Sequence, residues 1–281
     1  MTSRVASAIA AGLSALAAHQ RPDGSFPLST VTPPGPWSDC DPLFATASIL
    51  LAVGSRLSPD GVARASAYLR AARRPDGLWQ FDRSLGIPPD TDSTACALAA
   101  LARHAPRADL LGGAALLRRF WRAPDGPFRT WPDTGMWAGP GRDDAVVNGN
   151  IVLALDALGE PASPAEIAAV ERLVAKRVDG PRYYVSPCAT AYSVRRARMR
   201  PDPLPSLTTA QPPPGDILGC ALWMLGTGRR DPAVIDAIVD AQRNDGSWPR
   251  LPWCKAAQRP VPYWASEAVT TAIAIEALAD V

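Results

Sequence analysis

A chain of 281 residues, 47% of them hydrophobic, is long enough to bury one substantial core. Lys+Arg 29 against Asp+Glu 27 leaves a net charge near +2, too little excess field for a polyanion, so nucleic acid is not expected as a partner. Five scattered cysteines, Cys40, Cys96, Cys188, Cys220 and Cys254, form no C-x-x-C pair, which argues against a disulfide framework or a zinc ribbon and fits a reducing, cytoplasmic setting.

No apolar stretch reaches the ~20 residues that span a bilayer, so the expectation is a soluble protein with at most peripheral membrane contact. Residues 1–24 resemble a weak secretory leader, one Arg followed by small apolar residues. They end in Gln20-RPDGS-Phe26, however, and the interior segment from Ile235 ends alike in Gln242-RNDGS-Trp248. The first helix therefore reads as one copy of a repeat. Three more copies of its loop follow between these two: Arg73-RPDGL-Trp79, Arg122-APDGP-Phe128 and Lys176-RVDGPR-Tyr183. A period of about fifty residues is that of stacked or radial helix pairs. Gly supplies the positive φ that ends a helix, Asp accepts nearby backbone N–H bonds, and the aromatic plugs the gap between pairs, which is a structural task.

In chain order, the segments alternate in character. Residues 38–54, 92–105, 144–159, 186–197, 215–228 and 264–280 are poor in charge after their first turn, as helices buried on all sides must be, apart from the Arg-rich end of 186–197. Residues 59–73, 107–122, 163–177 and 232–243 carry charges on one face and apolar residues at i, i+3, i+4 on the other. The first set predicts six inner helices and the second a set of outer helices: an all-α, single-domain α/α barrel over 1–281 with no sheet of consequence. Residues 198–214 are Pro-rich and predict a loop. The basic run Arg195, Arg196, Arg198 and Arg200 could meet a diphosphate but reads as a solvated helix end.

The Gln/Arg-x-x-Asp-Gly-x-Trp/Phe loops resemble the QW repeat of squalene–hopene and oxidosqualene cyclases, across nearly the whole chain. Asp90-Thr-Asp-Ser-Thr-Ala-Cys96 is similar to the D-x-D-D-T-A signature of class II terpene cyclases. The resemblance places the chain with the terpene cyclase and prenyltransferase superfamily and implies that Asp92, at the third position of the signature, is the acid that protonates the substrate. Ser93 stands where the second carboxylate of the pair would be. Class II cyclases usually enclose substrate between two barrels; here the cavity is expected in one barrel mouth.

Acidic and polar residues open the predicted inner helices: Asp39 and Asp41, Asp90 and Asp92, Asp143 and Asp144, Asp216, then Ser266 and Glu267. Each alone is a good N-cap. Two carboxylates as close as Asp90 and Asp92 exceed what one cap needs, and a coupled pair can hold and release a proton. Asp92 is the expected donor, with Asp90, Ser93 and Cys96 as supports. A carbocation needs π faces and dryness, and the expected substrate-binding set is Trp37, Asp41, Trp137, Asp144, Trp223, Tyr263, Trp264 and Glu267. The expected partner is an isoprenoid, with no cofactor and no metal. Only His19 and His104 exist, which disfavours the zinc prenyltransferases and lanthionine cyclases of this barrel type. Two other functions fit the same fold: a carbohydrate-active enzyme using rim carboxylates such as Asp92 and Asp144, and a non-catalytic isoprenoid or partner binder.

Overall fold

The computed structural model describes residues 2–104, 107–124, 126–131, 142–176, 180–199, 210–212, 215–257 and 260–279. Its inner helices are α2 (Leu43–Val53), α4 (Thr91–His104), α6 (Ala145–Ala157), α8 (Cys188–Arg196), α9 (Ile217–Thr227) and α11 (Glu267–Ala279). Each packs on the next in that order and α11 packs on α2, so the ring closes as an α/α barrel. The outer helices are α1 (Thr2–His19), α3 (Pro59–Ala71), α5 (Gly113–Arg118), α7 (Pro164–Lys176) and α10 (Pro232–Asp240).

Burial follows composition. In α2 every residue but Ala52 is buried, and in α6 everything from Ala145 to Leu155 is. Outer helix α3 buries only Gly61, Ala65, Ser66 and Leu69, the i, i+4 stripe of a half-exposed helix.

The Asp-Gly loops join pair to pair by one recurrent device. Gly24, Gly77, Gly180 and Gly246 all have φ between +85° and +89°, where a Cβ would be strained. Beyond the glycine, the aromatic residue donates its backbone N–H to a side chain of the following inner helix: Phe26 to Thr46 (3.0 Å), Trp79 to Thr94 (3.0 Å), Phe128 to Asn148 (2.8 Å) and Trp248 to Thr271 (3.0 Å). Trp79 and Trp248 are fully buried, and their indole N–H groups donate to the carbonyls of Leu69 and Ile238 near the ends of the preceding outer helices, at 2.8 and 2.6 Å. Gln20 and Gln242 reach sideways to the carbonyls of Gly61 and Ala8 on neighbouring outer helices.

The structure corrects the expected bounds of several segments and the expected absence of a sheet. The inner segments 38–54 and 264–280 do not begin as helices: Ser38–Cys40 (β2) and Tyr263–Ala265 (β6) are strands. They form an antiparallel sheet with Leu28–Val31 (β1) and Pro252–Lys255 (β5), in the order β2-β1-β6-β5. A second ribbon pairs Trp79–Gln80 (β3) with Pro89–Asp90 (β4). The outer segment 107–122 contains a 3₁₀ turn at Arg107–Leu110 and the short helix α5, because Gly112 and Gly113 interrupt it. Most of the proline-rich 198–214 stretch lies outside the described residues.

Candidate active site

At the start of α4 two carboxylates stand side by side with different duties. Asp90 precedes the helix and caps it: its Oδ1 accepts from the Ser93 N–H at 2.7 Å, and its Oδ2 from the Ser93 hydroxyl at 2.8 Å and the Phe81 N–H at 3.2 Å. With the cap supplied by Asp90, Asp92 is released from the backbone. Its Oδ1 accepts from Asn150 Nδ2 at 2.8 Å and its Oδ2 from the Tyr184 hydroxyl at 2.7 Å, while Cys96 Sγ lies 3.9 Å from Oδ1. Ser93 thus serves Asp90, and the side chains that hold Asp92 are Asn150 and Tyr184.

Both carboxyls line a cavity of about 670 Å³, counting its open mouth, together with Phe81, Ile87, Val147, Tyr184, Trp264 and further residues. Burial, and then the charge of Asp92, raise the Asp90 pKa to about 7. Burial raises that of Asp92 to about 6, opposed by the hydrogen bonds from Asn150 and Tyr184. An aromatic chain runs beside them: Trp264 meets Phe81 edge-on at 5.0 Å between centroids, Phe81 meets Phe44 at 5.0 Å, and Phe44 meets Tyr184 at 6.4 Å. Trp131, Tyr183, Arg142 and Lys255 also line the cavity.

Tyr184 is placed by the sheet and by Asp144. The Val185 N–H donates to Trp253 O and the Lys255 N–H to Tyr183 O, both at 2.9 Å, which ties the tyrosine pair to β5. Asp144 caps α6 through the Val146 and Val147 N–H groups, and its other oxygen accepts from the Arg182 and Tyr183 N–H groups. Both of its oxygens are therefore engaged by backbone, and it anchors the loop that carries Tyr184.

The remaining predicted residues disperse. Trp264 is in the cavity wall. Asp41 pairs with Arg83 and accepts from the Tyr68 hydroxyl and the Leu43 N–H, and Glu267 pairs with Arg243. Trp37 is 39% exposed, with Arg250 over its ring. With Tyr263 it borders a separate surface groove at β1 and β5. Trp223 is buried within α9, and Trp137 lies outside the described residues. Asn150, Tyr184 and Phe81 were not anticipated. Asn150 alone left a trace, as an amide within the apolar run Ala145–Ala157 that must find a buried partner. Among the described residues, no group of three or more His, Cys, Asp or Glu could hold a metal ion, and no helix is long and apolar enough to cross a membrane.

No known family profile matches the sequence, and no curated relative does. Solved structures do match. The type II terpene cyclase MstE from Scytonema, in its apo form, superposes with a TM-score of 0.74 at 14% identity, over 98% of each chain. The chain has a terpene cyclase-like fold. A variant of MstE in complex with geranylgeranyl dihydroxybenzoate, its substrate, gives 0.72 at 15% identity over 99% of this chain and 97% of that one. An unsaturated glucuronyl hydrolase specific for heparin gives 0.58 at 13% identity over 100% of this chain and 97% of that one. The terpene cyclase-like architecture thus covers nearly the whole chain, with the strands and Asp-Gly loops within it.

Proposed function

We propose that the protein is a class II terpene cyclase-like isomerase in which Asp92 is the general acid. The observation that carries this is a carboxyl group lining an aromatic cavity and bound by two neutral donors, Asn150 and Tyr184. Burial favours the protonated acid, and an apolar substrate that displaces water from the cavity favours it further. Asp92 then delivers its proton to a double bond or epoxide of an isoprenoid. For the double bond, the π pair forms the new C–H bond, the carboxylate stays behind, and the cation cyclises through the remaining double bonds. The Asn150 and Tyr184 donors stabilise that carboxylate as its charge develops, and Phe81, Tyr184 and Trp264 offer π faces to the cation. Loss of a proton from the cyclised cation returns the balance to an isomer of the substrate, and Asp92 is reprotonated from solvent. No metal or redox cofactor enters this sequence.

MstE binds a geranylgeranyl chain on an acidic aromatic head group. Arg142 and Lys255 in the lining of the present cavity support a substrate of the same broad kind, an isoprenoid with an acidic head. A glycosidase reading would need a second free carboxylate, and engagement of Asp144 by backbone N–H groups argues against that residue. The test is incubation with C15, C20 and C30 isoprenoids, with and without acidic heads or epoxides, followed by product mass spectrometry. A cyclised isomer formed by the wild type and lost in Asp92→Asn is the expected result; full turnover by Asp92→Asn overturns the reading.

A further inference from the structure

Behind Asp92 a line of hydrogen bonds crosses the barrel. Asn150 on α6 gives its Nδ2 to Asp92 and receives Arg196 Nη2 on its Oδ1 at 2.8 Å. Arg196, at the end of α8, also donates Nη1 to the Tyr192 hydroxyl at 3.0 Å and lies over that ring at 4.6 Å. The Tyr192 hydroxyl in turn donates to Glu276 Oε2 on α11 at 2.6 Å. Four of the six inner helices contribute one member or more. Arg196 belongs to the basic run at 195–200, which composition alone marks as a solvated helix end; instead its head is turned into the barrel.

A primary amide can present either its NH₂ or its oxygen, whereas a guanidinium can only donate. With Arg196 on one side, the Asn150 oxygen must face it and the NH₂ must face Asp92. Were Arg196 absent, Asn150 could turn over and accept the proton of Asp92, an arrangement that holds the acid in its neutral form. We propose that Arg196 is a positioning residue that sets the acid strength of Asp92 by fixing the orientation of the Asn150 amide. The proposal deepens the cyclase reading and rests on it for its catalytic meaning, although the effect on Asp92 exists without any substrate.

The groups that face Asp92 are Asp90 and Cys96 from its own segment, Asn150 of α6 and the more distant Asp144 that caps it, Tyr184, Cys254 of β5, and Arg196 of α8. Of these, Arg196 is the one cation, and its charge and the amide orientation act in the same direction, toward a stronger acid. Arg142 and Lys255 are further cations in the lining of the same cavity.

The experiment follows the carboxyl C=O stretch of Asp92 by infrared titration without substrate, the band being assigned by its loss in Asp92→Asn. In Arg196→Met the midpoint is expected to rise by about one unit or more, while Arg196→Lys, which keeps a donor-only cation, stays near the wild type. The alkaline limb of kcat should move the same way, with a lower plateau because the acid is weaker. Arg196→Met/Glu276→Met, which removes both charges together, carries the same test if the single variant fails to fold. An unchanged Asp92 midpoint in a folded Arg196→Met or double variant overturns the proposal. Absence of any cyclised product with a shifted midpoint would instead defeat the cyclase reading and leave the role of Arg196 standing.

Discussion

Asp92 illustrates how a neighbour decides what a carboxylate can do. A helix start needs one cap, and Asp90 supplies it through the Ser93 N–H, which leaves Asp92 two oxygens for partners from other elements. Its raised pKa has a consequence for stability that does not depend on function. The folded state binds the Asp92 proton more tightly than the unfolded chain, so this contribution is fully present below about pH 4 and declines as pH rises to about 6, above which it is constant. Asp92→Asn has no such titration. Urea denaturation should therefore find the variant gaining on the wild type by on the order of 2 kcal/mol between pH 4 and pH 7; a difference that ignores pH would contradict the burial of an ionisable group there. Tyr184→Phe removes one donor to the same carboxylate while keeping an aromatic face. Turnover is expected to fall by roughly ten- to a hundred-fold with little change in KM, and equal kcat in the two proteins would show that the hydroxyl gives Asp92 nothing.

At the scale of elements, the repeat was legible because its chemistry is local. A glycine free to take positive φ, an Asp able to accept from the next residues and an aromatic plug can all be read in the letters of the loops; Gly24, Gly77 and Gly246 take that φ, and Asp23, Asp76 and Asp245 accept from the N–H two residues on. The bonds that finish the device were not legible, since Thr94 and Thr271 look like ordinary residues of a buried helix until Trp79 and Trp248 donate to them. Thr271→Val keeps shape and removes the acceptor, leaving a buried N–H unpaired, and should cost about 1–3 kcal/mol in thermal or chemical denaturation. Trp248→Ala adds a cavity to a lost bond and should cost about 3–5 kcal/mol; a smaller loss would mean that the plug is dispensable. The strands escaped prediction because short pieces such as Ser38–Cys40 and Tyr263–Ala265 carry too little periodicity to outweigh the apolar runs that follow them. The aromatic candidates dispersed for a related reason: position beside an inner helix does not say whether a ring faces the mouth, as Trp264 does, or the packed interior, as Trp223 does.

For the whole molecule, the six-fold ring was implied by the count of charge-poor helices, and its closure by α11 on α2 is a property of the folded chain. Because the proposed chemistry uses only side chains and a protonated acid, treatment with EDTA is expected to leave product formation unchanged; loss of activity restored by an added divalent ion would overturn that. The pairing of β1 with β6 has a consequence in time. Ser29 meets Ala265 and Val31 meets Tyr263, so one side of the first hairpin has no partner until residues 263–265 have been synthesised. Until then β1 presents an open strand edge, and the inner helices present flanks meant for α11, both of which invite association with other chains. A chain ending at residue 262 should therefore be recovered as aggregate rather than as a weakened monomer, and co-expressed segment 263–281 should rescue it by supplying the missing edge.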